Sequence, residues 1–169
     1  MRQAPISVRR AVIVCTMAKA TEAQLSRREL AAWRGLLRTH ARVLAELDAE
    51  LEAAHALAVP EYEVLLVLTQ TGDNHLRMSE LADAALLTRS GMTRLVDRLE
   101  RQGLVRRERC AADGRGTYAV ITPEGAARFA EARPTHIAGV RRLFLGPLKK
   151  KDQRALADAF DLVLGADPA

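Results

Sequence analysis

Eight arginines are concentrated between residues 86 and 118 of this chain, against four acidic residues in the same stretch. Arginine is well suited to bind phosphate oxygens and the edge of a guanine, because its planar guanidinium carries five donors in a fixed fork. The preceding stretch 46–63 has six acidic residues and no Lys or Arg. This uneven distribution predicts a cationic face that would dock on a polyanion in a fixed orientation.

The other reactive side chains form no recognisable catalytic or metal site in the sequence. Cys15 and Cys110 lie far apart and match no disulfide or metal framework, and the four histidines show no closely spaced pair. No nucleophile elbow, phosphate-binding glycine loop or zinc pattern is visible. We therefore predict a protein that is not an enzyme and that uses no metal and no cofactor.

The composition favours a mainly helical domain. The chain has 169 residues, a net charge of +5, 49% hydrophobic residues and only 4% aromatic residues. This length suits one domain with a proper core, and the excess of Leu, Ala and Val favours helices over a β-sandwich. No apolar run approaches the length of a membrane span. We expect no membrane partner and a cytoplasmic protein.

The cationic stretch is organised as two helices followed by a hairpin. Residues 79–84 form a short helix, and Thr88 is a suitable N-cap for a second helix that ends at Gly103. Segments 105–110 and 117–121 are strand candidates joined by the turn A-A-D-G-R-G. This order predicts a winged helix-turn-helix, which places one helix in the major groove of DNA.

Long helices are predicted on both sides of this motif. Ser26 and Glu29 form a capping box, and apolar positions then recur at steps of three and four through residues 26–55. Pro60 marks the start of a second helix, and Thr122 followed by Pro123 marks the start of a C-terminal one. We expect Pro134 to kink or break the latter. The apolar residues of a last helix are Leu156, Phe160 and Val163.

The apolar seam of the first helix is longer than a small domain can cover by itself. It consists of Leu30, Trp33, Leu37, Leu44, Leu47 and Leu51. The C-terminal helices and a second copy of the chain are its natural partners, which predicts a two-fold homodimer. The alternative is that the seam is entirely intramolecular core.

Four runs of residues resemble the MarR family of bacterial transcriptional regulators. They are M-S-E-L-A, L-L-T-R-S-G-M-T-R-L-V-D-R-L-E-R-Q-G-L-V-R-R, D-G-R-G and I-T-P-E-G. The resemblance covers about residues 26–164. It implies a mainly α fold with a small β-hairpin wing and a homodimer formed by N- and C-terminal helices. It also implies binding to pseudo-palindromic double-stranded DNA, usually as a repressor released by a small aromatic ligand.

The predicted domain limits follow from this resemblance. We expect a flexible tail at residues 1–24, for which Met17 offers an alternative start, and one domain at 25–165. Its DNA-binding lobe would cover about 58–122, and its dimerisation helices about 26–55 and 123–165.

The helix that begins after Thr88 is the predicted recognition helix, and we expect Met92, Leu95, Val96 and Leu99 on its inward face. The side chains at its start are the candidates for contact with base edges. They are Thr88, Arg89, Ser90, Thr93 and Arg94. Arg77, Ser79 and Arg98 are candidates for phosphate, and Arg115 on the wing is a candidate for the minor groove. By the resemblance, Asp113 would brace the wing, where Gly114 replaces a basic residue of many relatives. The alternative is a solvated helix surface with internal ion pairs, one of them between Asp97 and Arg101.

Trp33 and His40 are the candidates for a ligand site, because they lie seven residues apart on one helix stripe. An aromatic ring and a titratable donor would suit an aromatic carboxylate. The alternative, which we favour from the sequence, is that Trp33 packs and His40 is satisfied at an interface.

Two further functions remain open at the level of the sequence. Some relatives sense oxidants through a reactive cysteine, although neither Cys15 nor Cys110 has the neighbours of a low-pKa thiol. A winged helix can also serve protein–protein assembly. The cations Arg89, Arg94, Arg98 and Arg115 argue against that second role.

Overall fold

The computed structural model describes residues 24–85, 87–109 and 116–165. The described residues divide into two compact units, the first ending at Gly35 and the second beginning at Leu36. In the first unit, Ser26 precedes helix α1 (Arg27–His55). The backbone N–H of Ser26 donates to Glu29 Oε2 at 2.7 Å, and the Glu29 N–H donates to Ser26 Oγ at 3.2 Å. The predicted capping box is therefore confirmed.

The second unit contains the rest of α1 and all other elements. After α1 they are α2 (Val59–Gln70), β1 (His75–Arg77), α3 (Met78–Ala84), α4 (Arg89–Arg101), β2 (Val105–Arg109), β3 (Thr117–Ile121), α5 (Pro123–Val140), a π-helical turn (Arg141–Leu145) and α6 (Lys150–Leu164). The predicted helices and the two hairpin strands are confirmed. Within the described ranges, no helix combines the length and apolar character needed to cross a membrane.

The sheet has three antiparallel strands in the order β1-β3-β2, and the strand β1 was not predicted. His75 pairs with Val120, and Val105 pairs with Ile121. β1 has only three residues, all half-buried, so it shows no alternation of apolar and polar residues. It is a strand because β3 offers it a free edge, which is a tertiary effect.

The core joins the end of α1 to the helices and strands that follow it. Leu51, Leu65, Leu81 and Leu99 are each fully buried, and they come from four different helices. Phe129 of α5 packs on Tyr62 of α2, with ring centroids 5.2 Å apart. Helices α2 and α3 and the strand β2 thus pack against α4, and α5 packs against α2.

Two threonine caps set the limits of the helices around the hairpin. Thr88 Oγ1 accepts the Gly91 N–H at 3.1 Å at the start of α4. Thr122 Oγ1 accepts the Gly125 N–H at 3.0 Å and donates to the carbonyl of Gly103 at 2.7 Å. Gly103 has a φ of 74°, which is the left-handed conformation that ends α4. The predicted caps are confirmed.

Of the two predicted effects of Pro134, a kink or a break of the C-terminal helix, the break is wrong, because α5 continues through Pro134 to Val140. The kink stays a prediction. Pro134 and Ala130 are both exposed, so the Ala130 carbonyl that loses its helical partner faces water. Ala132 and Gly139 are buried on either side of the proline. Packing of these two positions on the core holds the helix together.

The apolar seam of α1 is only partly covered by its own chain. Leu47 and Leu51 are buried, whereas Leu37 is 49% exposed. In α6 no residue is buried, and Leu162 is 85% exposed. The alternative that the seam is entirely intramolecular core is therefore wrong.

Candidate nucleic-acid interface

Helix α4 separates an apolar face from a polar one, as the sequence predicts. Met92, Leu95, Val96 and Leu99 are buried against the core. The candidates for base contact lie exposed at its N-terminal end, and they are Thr88, Arg89, Ser90, Thr93 and Arg94. The first turns of α4 therefore present hydroxyl and guanidinium donors on one accessible surface.

Hydrogen bonds within α4 restrain two of these polar side chains. Thr93 Oγ1 donates to the carbonyl of Arg89 at 2.9 Å, and Arg94 Nε donates to the carbonyl of Ser90 at 3.4 Å. The Arg94 bond uses Nε, so the forked end of that guanidinium extends beyond it. A fork of this kind is the group that reads a guanine through two parallel hydrogen bonds.

A polar cleft of about 530 Å³ lies beside this surface, between the start of α3, one side of α4 and the base of the hairpin. Its lining includes the predicted site residues Arg77, Ser79 and Thr93. The remaining lining residues are Met78, Asp97, Arg107, Gly116 and Thr117. The fold thus brings two candidate phosphate ligands next to one candidate for base contact.

Arg77 is attached both to α3 and to the hairpin. Its backbone N–H donates to Glu80 Oε2 at 3.2 Å, and its guanidinium carbon lies 5.4 Å from the centroid of the Tyr118 ring. His75 meets the same ring edge-on, with centroids 4.9 Å apart. The contact of a cation with an aromatic face is favourable, so β3 orients the Arg77 side chain.

Arg107 on β2 is a residue of this site that sequence reasoning missed. Its Nη1 lies 2.7 Å from both Asp97 Oδ1 and Glu100 Oε2, and its Nη2 donates to the Thr93 carbonyl at 3.1 Å. The predicted side-chain pair of Asp97 with Arg101 is wrong. Arg101 Nε instead donates to the backbone carbonyl of Asp97 at 3.3 Å. The only signal in the sequence was a basic strand following the recognition helix.

Arg98 has a structural partner that the sequence did not suggest. Its Nε lies 2.6 Å from Oε1 of Glu61, whose side chain is 2% exposed, while the Arg98 side chain is 48% exposed. Gln102 Nε2 donates to the same oxygen at 3.5 Å, and the Ala58 N–H donates to Glu61 Oε2 at 2.8 Å. Arg98 therefore joins α4 to α2, and its role as a phosphate ligand stays a prediction.

Several predicted residues lie outside the described part of the chain. Asp113, Gly114 and Arg115 of the wing are among them, and so are Cys15 and Cys110. The tail predicted at residues 1–24 also lies outside it, except for residue 24. The roles of these residues stay predictions.

His40 lines an apolar groove of about 210 Å³ in the second unit. The groove also contains the aromatic rings of Phe144 and Phe160. Its other lining residues are Leu36, Thr39, Val43 and Leu44. Trp33, the other ligand candidate, belongs to the first unit, and its side chain is 53% exposed. Among the described residues, no group of three or more His, Cys, Asp or Glu side chains could hold a metal ion.

A short helix, a turn and an exposed arginine-bearing helix, followed by a two-stranded hairpin, define a winged helix-turn-helix protein. Residues 55–116 match the model of the MarR family. The chain belongs to the MarR family of transcriptional regulators and has their DNA-binding fold. The family resemblance noted from the sequence is thereby confirmed.

Two solved structures from Streptomyces coelicolor are similar over most of their length. The MarR family regulator AbsC is 32% identical, with a TM-score of 0.79 over 84% of this chain and 95% of that one. Sco3205, whose structure is in complex with DNA, is 32% identical, with a TM-score of 0.80 over 86% of this chain and 96% of that one.

Curated relatives are also transcriptional regulators. The transcriptional repressor YetL of Bacillus subtilis is 30% identical over 112 residues, which cover 64% of this chain and 67% of that protein. The transcriptional regulator HosA of Escherichia coli is 33% identical over 97 residues, covering 57% of this chain and 70% of that protein.

Proposed function

We propose that this protein is a homodimeric repressor that binds a pseudo-palindromic operator in double-stranded DNA and is released by a small aromatic ligand. The observation that carries the proposal is the exposed N-terminal end of α4, where Thr88 caps the helix and Arg89 and Arg94 project outward. Relatives support it: Sco3205 has been solved with DNA, and YetL is named a repressor.

In this proposal, the start of α4 reads base edges in the major groove. Arg94 would bind a guanine through its fork, which is worth about 1–3 kcal/mol of discrimination against the wrong base. Thr88, Arg89, Ser90 and Thr93 would contact neighbouring bases. Phosphates would be bound by Arg77 and Ser79 beside the cleft and by the outer edge of Arg98. The wing residue Arg115 would enter the adjacent minor groove, braced by Asp113.

The dimer is supported by the apolar side chains left exposed on the terminal helices. Leu36 and Leu37 of α1 and Leu162 and Val163 of α6 are 44–85% exposed in the single chain. A second copy related by a two-fold axis would cover them. Two recognition helices about 34–36 Å apart would then meet successive major grooves. We propose dimerisation helices at about 26–55 and 123–165, and a DNA-binding lobe at about 58–122.

The proposed ligand site is the apolar groove beside His40. The groove beside His40 has an apolar lining with two phenylalanine rings, which suits a small aromatic molecule, and the imidazole supplies a polar group. Trp33 remains a predicted ligand contact. Titration with salicylate-like acids, followed by tryptophan fluorescence and by release of bound DNA, tests this part. A panel that neither quenches Trp33 nor releases DNA would exclude this class of effector.

Fluorescence anisotropy with duplexes from the protein's own promoter region, at several salt concentrations, tests DNA recognition. Arg94→Ala should lower the preference for operator over random sequence. Arg115→Ala should instead lower the affinity for operator and the affinity for random DNA by similar factors. Arg101→Ala, which removes an exposed arginine at the far end of the same helix, is the matched control. If Arg94→Ala and Arg115→Ala both bind like Arg101→Ala, the docking model is wrong. If the wild-type protein shifts no duplex, a protein–protein assembly module becomes the better explanation.

A further inference from the structure

We propose that Arg107 is a positioning residue for DNA recognition. It attaches the recognition helix α4 to the first wing strand and pairs its positive charge with the two carboxylates of that helix. The inference rests on the proposed DNA binding, and it assigns to Arg107 no contact with DNA.

The contacts of Arg107 are directed toward α4. Its Nη1 lies between Asp97 and Glu100, 2.7 Å from a carboxylate oxygen of each, and its Nη2 donates to the Thr93 carbonyl. Its backbone N–H donates to Glu100 Oε1 at 3.0 Å. Both oxygens of the Glu100 carboxylate therefore bind Arg107. One residue of β2 is attached to three residues of α4 within two helical turns.

The Arg107 side chain is less exposed than those of two nearby arginines. Its side chain is 25% exposed, compared with 48% for Arg98 and 58% for its neighbour Arg106 on the same strand. Successive side chains of a strand point to opposite faces, so Arg106 lies on the other side of β2. Arg107 uses its donors internally, whereas an arginine that binds phosphate needs them at the surface.

The two carboxylates that Arg107 binds are the only acidic side chains of α4, a helix proposed to approach a polyanion. Asp97 is 48% exposed and lines the cleft that also contains Arg77, Ser79 and Thr93. An unpaired carboxylate there would repel the phosphates that the cleft is proposed to receive. Arg107 lowers this repulsion while its own side chain stays mostly covered.

The geometry requires arginine rather than any cation. A guanidinium can contact two carboxylates through one nitrogen and a carbonyl through another, since its donors lie in one plane in a fixed fork. Lysine has the same charge, but its three donors share a single nitrogen. That nitrogen cannot occupy the Nη1 and Nη2 positions at once, so the two carboxylates and the Thr93 carbonyl would not all be held as they are, and α4 would be less firmly oriented relative to the wing.

The test compares Arg107→Gln, Arg107→Lys and the triple variant Arg107→Gln/Asp97→Asn/Glu100→Gln with the wild-type protein. Arg106→Gln, on the same strand, is the matched control. Each is titrated with operator and with a random duplex across salt concentrations, and circular dichroism and thermal unfolding verify the fold. If Arg107→Gln does not fold, the comparison of Arg107→Lys and the triple variant with the wild-type protein still tests the proposal.

We expect Arg107→Gln and Arg107→Lys to lower the operator-to-random affinity ratio at least about tenfold. The triple variant should regain affinity for random DNA, but its operator-to-random affinity ratio should stay low. The slope of its log affinity against log salt concentration should match that of the wild-type protein. A direct phosphate contact would instead lower the slope by about 0.9 in Arg107→Gln and in the triple variant. That result, or an unchanged ratio in the Arg107 variants, would overturn the inference. A wild-type protein that does not prefer operator would overturn the proposed function itself.

Discussion

Glu61 at the start of α2 and Arg98 in the last turn of α4 form an ion pair in which the carboxylate is almost completely buried. Glu61 Oε1 lies 2.6 Å from Arg98 Nε, and Glu61 Oε2 accepts the backbone N–H of Ala58. The pair therefore joins the N-terminal end of α2 directly to the helix proposed to read DNA. Arg98 has a structural role besides any contact with phosphate.

Arg98→Ala should destabilise the protein by about 2 kcal/mol. Removing one partner of a buried ion pair costs roughly 3–5 kcal/mol, and the half-exposed position of Arg98 reduces that cost. Arg94→Ala, which removes an exposed arginine from the same helix, should change stability by less than about 0.5 kcal/mol. Urea unfolding of both variants measures the difference. Equal midpoints would mean that Glu61 is satisfied by Ala58 and Gln102 alone.

Gly125→Ala should destabilise the protein by about 1–3 kcal/mol, which is the usual cost of overpacking. A Cβ at this position would clash with the backbone carbonyl of Leu104, at the point where α5 begins against the turn after α4. Backbone atoms cannot move aside as the end of a side chain can. Gly72→Ala, in an exposed loop with open space around it, is the control and should be nearly neutral. Thermal unfolding compares the two, and similar melting temperatures would contradict the close approach.

The stability of the protein should fall as the pH is lowered through the range just below 6.5, and His136 should contribute to that fall. Its ring stacks on the buried Tyr62 ring with centroids 4.3 Å apart, and burial lowers the pKa of His136. The unfolded chain then binds the proton first, near the ordinary histidine pKa of about 6.5, which favours unfolding until the pH passes below the folded-state pKa.

His136→Phe keeps a stacked ring but removes the titration. Urea unfolding at pH 7.5 and 5.5 should therefore show a smaller loss of stability in His136→Phe than in the wild-type protein. The comparison of the two losses cancels the other groups that titrate in this range. An identical loss in both proteins would assign the pH dependence elsewhere.

Leu162→Asp should weaken the proposed dimer by at least about tenfold in dissociation constant, equivalent to about 1.4 kcal/mol. Leu162 is 85% exposed in the single chain, so the change removes no intramolecular packing and acts only where a second copy covers α6. Leu87→Asp, at an exposed leucine outside the terminal helices, is the control. Sedimentation equilibrium measures the association. A monomeric wild-type protein, or a variant that dimerises like the control, would argue against an interface through α6.

The parts of the molecule that could be predicted from the sequence depend on groups close together in the chain. Ser26 and Glu29, Thr88 and Gly91, and Thr122 and Gly125 each form their hydrogen bonds over three residues. The apolar period of α4 likewise identified its buried face. Such features are local, because a cap or a helical period requires only the residues that form it.

The sequence by itself determined the winged helix-turn-helix, its caps and the exposed arginines at the start of α4. Only the tertiary structure decided that β1 is a strand, that α5 passes through Pro134, and that Arg98 and Arg107 bind Glu61, Asp97 and Glu100. Each of these depends on groups that are brought together by folding, such as a sheet edge, a packed helix face or a carboxylate on another element. A charged residue has the same letter whether it faces DNA or holds a helix in place. The residues that it contacts in the folded protein distinguish these two roles.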